Sequence, residues 1–442
     1  MAEVQPFRGL RYNIEQTGDI SSLISPPYDI ISPEEQQFYY RQSPYNVIRL
    51  ELGEEQPFDS PENNKYTRAA DTLKKWLEEG ILFREPVPAF YIFEHRFIHR
   101  GVIKRRWGLT ARVRLGSQSV GEARPHEVTL ESRIWDRLNL SRSCRVNFSP
   151  ILGMVRGGLL PFLLQLTRDN PDLSAVDHQG VTHNMWVIRD EKSMAEVSAW
   201  CARKALYIAD GHHRYETALA YQREQQAARS HCSGGEAFNF VMMTLADAED
   251  PGTIALPTHR LVRLPQPQSS AKLREELNLF FNVEDCNLGG GTLPERLKPW
   301  LGILEERGKR GTAMGLYGLN NQRLYVITPR QRTKLQAMLP SGYSQDWKES
   351  DVTLLHWIIF RQIMGINTPQ KEEECLAYTL DEQEAINRVN SGEYQLAFLM
   401  NPVPIPKVLA VADAGDRMPP KSTYFYPKLP TGLVMYPLWD EL

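Results

Sequence analysis

Two stretches gather side chains that bind or move charge. In Lys204–Gln225 a short apolar run, Ala205–Ala209, meets Asp210, Gly211, His212, His213 and Arg214. The residues that follow repeat with helical period, placing Tyr215, Ala218, Leu219 and Gln222 on one side. A strand that runs straight into a helix presents the helix's first-turn N–H groups and its partial positive charge, and two imidazoles with a guanidinium at that point make an anion site. The fitting ligand is a phosphate or a carboxylate. Asp210 is the expected N-cap, and Gly211 suits the tight turn. His212 and Glu216 share one helical face and offer a proton-transfer pair, with His213 as another shuttle.

The second stretch is Gly121–Ile151. His126 and Glu127 follow Pro125 on extended or turning backbone, with Thr129 close by. Arg133, Arg137 and Arg145 crowd the same segment beside Asp136, and such guanidinium groups grip phosphate oxygens bidentately. A zinc protease is excluded, because its HExxH pattern needs a histidine where Leu130 stands. Magnesium held by substrate phosphates and one or two carboxylates stays open, with Glu127, Asp210 and Asp29 as the candidate ligands. Asp29 follows Pro26, Pro27 and Tyr28 on a stiff turn. Thr258, His259 and Arg260 close an apolar strand, where a structural salt bridge is the competing reading. Met418–Lys428 combines Lys421, Ser422, Thr423 and Lys428 with three aromatic residues, a mixture that suits an anion or a nucleotide base.

The string ADGHHRYETAL resembles the signature of the bacterial and archaeal family catalogued as domain of unknown function 1015. HExT followed by DRL and NFSP, then PTHRLV, then KSTYFYPKL extend the resemblance over nearly the whole chain. Carried over residue by residue, it points to Asp29, His126, Glu127, Thr129, Asp136, Arg137, Asn147 and Ser149, and it implies that the Lys421–Lys428 tail folds back over the anion site. DGHHR is also similar to the phosphate-binding motif of the ParB and sulfiredoxin-like superfamily, whose enzymes include free serine kinases. That resemblance implies a phosphorylated small molecule or nucleotide as ligand, phosphoryl transfer or phosphate-ester hydrolysis as reaction, and serine or phosphoserine as a substrate class. Glu127 or Glu216 would then be the general base, or His126, His212 or His213 the proton shuttle. The competing reading is a nucleotide- or ligand-binding regulator with little turnover.

The expected fold class is α+β: a ParB/sulfiredoxin-like α/β core at 1–264 and a smaller α+β unit at 265–442, divided at the Pro/Gln-rich Pro265–Gln268. Ser32, Pro33 and Glu35 make a helix start. Asn46–Leu52 alternates and predicts a strand, Glu62–Gly80 an amphipathic helix, and Phe238–Leu245 a buried strand. Ala89–His95 and Arg106–Leu115 predict a hairpin with Arg96, Arg100, Lys104, Arg105 and Arg106 clustered near its tip, read as a solvated end with a polyanion patch as the competing reading. Leu159–Leu206 reads as a helix, a polar loop, the short strand Trp186–Ile188 and a further helix.

The 442 residues carry a formal net charge of −3, which gives no whole-molecule reason to bind nucleic acid. There is no P-loop, no GxGxxG and no apolar run of membrane-spanning length. The first ten residues lack a signal-peptide pattern. Five scattered cysteines without CxxC spacing argue against a disulfide framework or a zinc site and fit a reducing, cytoplasmic compartment. Cys144, between Arg142 and Arg145, is the one thiol whose neighbours could activate it.

Overall fold

The computed structural model describes residues 2–116, 123–127, 129, 131–167, 169–266, 269–286, 292–319 and 323–439. The chain forms two compact units, one of Met1–Pro125, Thr129–Ile254 and Phe425–Leu442, the other of His126–Val128 and Ala255–Tyr424. This differs from a division at 264/265, which assigned the whole tail to the second unit. The reason lies in packing: Leu433, Val434 and Met435 join the first unit's core, and Tyr436 pairs with Asn147.

The first unit is built on a nine-stranded sheet. Its strands are β1 (Val4–Gln5), β2 (Phe90–His99), β3 (Val102–Arg114), β4 (Ala123–Arg124), β5 (Ile151–Val155), β6 (Leu173–Val176), β7 (Thr182–Ile188), β8 (Leu206–Asp210) and β9 (Phe240–Asp247). They lie in the order β4-β8-β5-β9-β3-β2-β7-β6, with β1 beside β3. β8 runs parallel to β4 and β9 parallel to β5; the other pairings are antiparallel. Alternation along the strands sorts residues onto two apolar faces. One face carries Tyr91, Phe93, Met185 and Met242 under Leu73 and Trp76. The other carries Ile92, Leu109, Val113 and Met243 under Leu159, Val197 and Tyr215.

Besides the one-turn helix Ile14–Thr17, the helices of this unit among the described residues are α1 (Pro33–Gln42), α2 (Ile48–Glu51), α3 (Lys65–Glu78), α4 (Glu131–Cys144), α5 (Leu159–Leu166), α6 (Glu191–Cys201) and α7 (His212–Ala227). α1 starts as expected: Ser32 Oγ accepts from Glu35 N, and Glu35 Oε2 accepts from Ser32 N. Asn46–Leu52 is not a strand. Asn46 Oδ1 accepts from Ile48 N at 2.9 Å and its amide donates to Ser22 and Ile24 carbonyls, which turns the chain into α2. Val47, Ile48 and Leu50 are all buried, so their alternation marked no exposed sheet face. The strand β6 falls where a polar loop was expected. The hairpin is longer than expected, with its turn at Arg100–Gly101, and Arg106 therefore lies within β3, only 1% exposed.

The second unit holds a six-stranded antiparallel sheet of β10 (His259–Val262), β11 (Phe281–Asp285), β12 (Met314–Tyr317), β13 (Leu324–Pro329), β14 (Leu376–Thr379) and β15 (Leu396–Met400), ordered β11-β13-β12-β15-β10-β14. Trp300, Leu304 and Ile386 from two flanking helices, α8 (Leu293–Lys309) and α9 (Glu382–Asn390), pack on it. Among the described residues no helix is long and apolar enough to cross a membrane. The fold is a mixed α+β protein with one large mixed sheet and a separate antiparallel sheet.

Candidate functional site

In the first unit the junction of β8 and α7 gathers charge. Asp210 closes the strand and is not the helix cap; that position belongs to Gly211, at φ 92° in the left-handed region. A Cβ there would sit 3.0 Å from Arg214 Nε and Nη2, so glycine is required both by the turn and by the guanidinium folded over it. The Asp210 carboxylate has a different task. Its Oδ1 accepts from Lys428 Nζ at 2.5 Å and its Oδ2 from Arg214 Nη2 at 3.0 Å. Burial would raise its pKa, but Lys428 and Arg214 outweigh burial and hold the carboxyl well below the usual carboxylate range. Arg214 Nη1 also donates to the Pro150 carbonyl.

Arg137, Asn147, Ser149 and Arg214 line one small cavity together with Glu51. Most of their polar groups are engaged within the fold. Arg137 donates to the Glu51 carbonyl at 2.6 Å and to Asp136 Oδ2 through Nε at 2.8 Å, and it lies 4.2 Å over the Tyr28 ring. Ser149 Oγ donates to Glu51 Oε1, and Asn147 Oδ1 accepts from Met242 N. These contacts explain the side chains as supports for the cavity wall rather than as open ligand donors. Asp29 Oδ1 is buried without a hydrogen-bond partner among the described residues. His212 is buried at the start of α7, and His213 and Glu216 are half-buried on its first turns; Thr129 is half-buried too. Cys144 is buried, and burial pushes its thiol up to about 12, which removes it as a nucleophile.

The second unit brings together a separate set. Glu127 Oε1 accepts from Lys421 N at 2.5 Å, His126 Nε2 lies 3.0 Å from Thr423 Oγ1, and Arg260 Nη2 donates to the Lys421 carbonyl at 2.9 Å. Lys421 adopts φ 58°, a left-handed turn held by these contacts. Ser422 Oγ donates to Pro419 O. His126 is fully buried and Glu127 fixes a loop amide, so their geometry is that of a clasp between the HExT segment and the tail. Burial lowers the Arg260 guanidinium to about 10, with Tyr378 and Glu127 opposing it. His259 Nδ1 accepts from Met400 N. A wider cavity in this unit, lined by Thr312, Arg332, Asp351 and Lys407, holds none of the candidates read from the sequence.

Of the candidate magnesium ligands, both Asp210 oxygens face cations and Glu127 Oε1 accepts from Lys421 N, while Asp29 Oδ1 has no hydrogen-bond partner among the described residues.

The family model described as a protein of unknown function, DUF1015, matches residues 4–353. The chain belongs to the DUF1015 family. The search of curated proteins found no match. Among solved structures, a conserved hypothetical protein from Pyrococcus furiosus is similar at 15% identity and TM-score 0.33, covering 70% of this chain and 90% of that one. A free serine kinase in complex with AMP is similar at 14% identity and TM-score 0.33, covering 69% and 83%. SbnI with a C-terminal truncation, from Staphylococcus aureus, is similar at 11% identity and TM-score 0.31, covering 72% and 84%. The DUF1015 match spans both the β8–α7 junction and the HExT segment, whereas Lys421 and Lys428 lie beyond it.

Proposed function

We propose that this DUF1015 protein binds a phosphorylated small molecule or a nucleotide at the β8–α7 junction and transfers or hydrolyses its phosphoryl group. The observation that carries the reading is the placement of two cations, Lys428 and Arg214, on the single Asp210 carboxylate at the start of a 16-residue helix. The two cations stand beside the positive end of the helix dipole and are already held in place before a ligand arrives. The likeness of Asp210–Arg214 to the ParB/sulfiredoxin-like phosphate motif supports the same ligand class, and with it a ParB/sulfiredoxin-like character for the first unit and serine or phosphoserine as a substrate to try. Arg214 and Lys428 stabilise phosphate charge in this reading, and His212, His213 or Glu216 on the first turns of α7 supply proton transfer.

The test is a thermal-shift series with wild type and Arg214→Ala against ATP, ADP, CTP, phosphoserine and inorganic phosphate, each with and without magnesium. A compound at 100 times its Kd stabilises the native state by about 2.7 kcal/mol. A phosphorylated compound that shifts wild type and not the variant supports the reading and is then followed for turnover. If no phosphorylated compound shifts wild type, the reading is wrong; binding with no turnover would leave a ligand-gated regulator instead.

A further inference from the structure

In the second unit β12 runs antiparallel to both β13 and β15, so the start of β12 and the ends of its two neighbours meet at one end of the sheet. A cavity of about 320 Å³ opens there, lined by Thr312 before β12, Pro329 at the end of β13 and Asn401 after β15. All of its lining residues belong to the second unit. That volume suits a small organic molecule. Part of the wall is apolar, made by the buried side chains of Leu335, Leu354 and Val403.

The acids of the lining are already engaged. Glu349 Oε1 accepts from Gln345 Nε2 at 2.7 Å, and Glu305 lies 3.9 Å from Lys309 Nζ. Burial raises the Asp351 carboxyl to about 6, while Lys407, Thr312 and the Ala313 N–H act against it. Lys407 Nζ also donates to the Glu349 carbonyl at 3.3 Å. Two polar groups are left over. Arg332, exposed at the start of the helix Arg332–Ala337, makes no side-chain hydrogen bond or ion pair among the described residues. Ser350 is 1% exposed, and its Oγ is buried with no hydrogen-bond partner among the described residues. It stands before the helix that begins at Asp351 and yet makes no capping bond.

These two groups are neighbours through Gly311 and Thr312. Gly311, at φ 147°, leaves no room for a Cβ, which would collide with Arg332 Nη2, so the guanidinium lies over the Gly311 backbone. Thr312 Oγ1 donates to the Glu349 carbonyl at 3.2 Å, and Ser350 is the next residue. A guanidinium offers a planar fork of donors that fits a carboxylate or a phosphate, and a buried hydroxyl requires a hydrogen-bond partner. The apolar wall suits a hydrocarbon body. An organic cation would meet only acids that are already engaged.

We propose that this cavity binds a small organic anion, a carboxylic acid or a phosphate monoester with an apolar body. Its oxyanion rests on Arg332, Ser350 Oγ supplies a further hydrogen bond, and its hydrocarbon part packs on Leu335, Leu354 and Val403. The site shares no residue with the β8–α7 junction and does not depend on the phosphate reading made there.

Calorimetric titration of the full chain with hexanoate, hexyl phosphate, hexylamine and acetate tests it in wild type, Arg332→Met and Ser350→Ala. Only binding that is lost in Arg332→Met is assigned to the cavity, which keeps a ligand of the β8–α7 junction out of the reading. One of the two hexyl acids is expected to bind wild type about tenfold or more tighter than hexylamine or acetate, and Arg332→Met to weaken it by about tenfold or more. Ser350→Ala is expected to weaken it by about threefold or more. Arg332→Met should unfold at the same urea concentration as wild type, since Arg332 is exposed and bonds nothing among the described residues. Preference for hexanoate assigns a carboxylate, preference for hexyl phosphate assigns a phosphate ester, and either supports the site. Binding of neither acid, Arg332-dependent binding of acetate or hexylamine as tight as that of the acids, or full binding by both variants overturns it.

Discussion

Lys428→Met removes one of the two cations on Asp210 while keeping an unbranched side chain of similar length. The lysine side chain is 10% exposed and the carboxylate 20%, with Nζ 2.5 Å from Oδ1. Removing one partner of a buried pair costs about 3–5 kcal/mol, and the lower end applies because Arg214 still bonds Asp210 at 3.0 Å. With a urea slope of about 3 kcal/mol per molar, a loss of about 3 kcal/mol moves the unfolding midpoint down by about 1 M. The pH dependence has a definite sign. The folded pKa of Asp210 is depressed, so its contribution is complete above the ordinary aspartate value of about 3.9 and is lost only as pH falls through the folded value. The gap between wild type and variant should therefore be constant from pH 8 to pH 5 and narrow only in strong acid. Equilibrium urea unfolding at several pH values measures both quantities. An unchanged midpoint at pH 7 would refute the assignment, and a gap that closes between pH 8 and 5 would move the stabilisation to a histidine such as His212.

Gly211→Ala forces a Cβ into the left-handed region and against Arg214, and should cost roughly 1–2 kcal/mol in urea unfolding and weaken any phosphate ligand found by thermal shift. A variant as stable as wild type and equal in binding would show that neither the turn nor the Arg214 contact matters. Cys144 and Cys201 are buried, with thiols pushed up to about 12, and Cys375 is buried with its thiol raised as well, so native protein at pH 8 should react with a thiol reagent at Cys232 and Cys286 at most. All five cysteines should react after denaturation. Native labelling of Cys144, read by peptide mass, would contradict its burial.

The strand-to-helix junction was legible because it is local: an apolar run, a glycine and a helical repeat lie within one stretch of sequence. What hides from local reading is partnership. Asp210 has the chemistry of an N-cap, and only Lys428, 218 residues away, turns it into the centre of a charge cluster. Arg137, Asn147 and Ser149 were found as a group, and their bonds to Asp136, Glu51 and the β9 backbone come from folding and could not be read from the sequence. Arg106 was misplaced by counting charges. Four basic residues fall between Arg100 and Arg106, which favours a solvated turn, but the strands extend further than their apolar core and carry the last arginine under the sheet. The signal for it was register: once the turn is set at Arg100–Gly101, His95 must face Arg106.

The Lys428–Asp210 contact also has a meaning in time. At about 5–20 residues per second, a ribosome that has made Asp210 needs about 10–40 s to reach Lys428. Throughout that interval β8 and α7 can form with Arg214 alone on the carboxylate, and the charge cluster is incomplete. A nascent chain is thus kept from completing the Asp210 charge cluster until its second unit has been synthesised, an order set by the sequence itself.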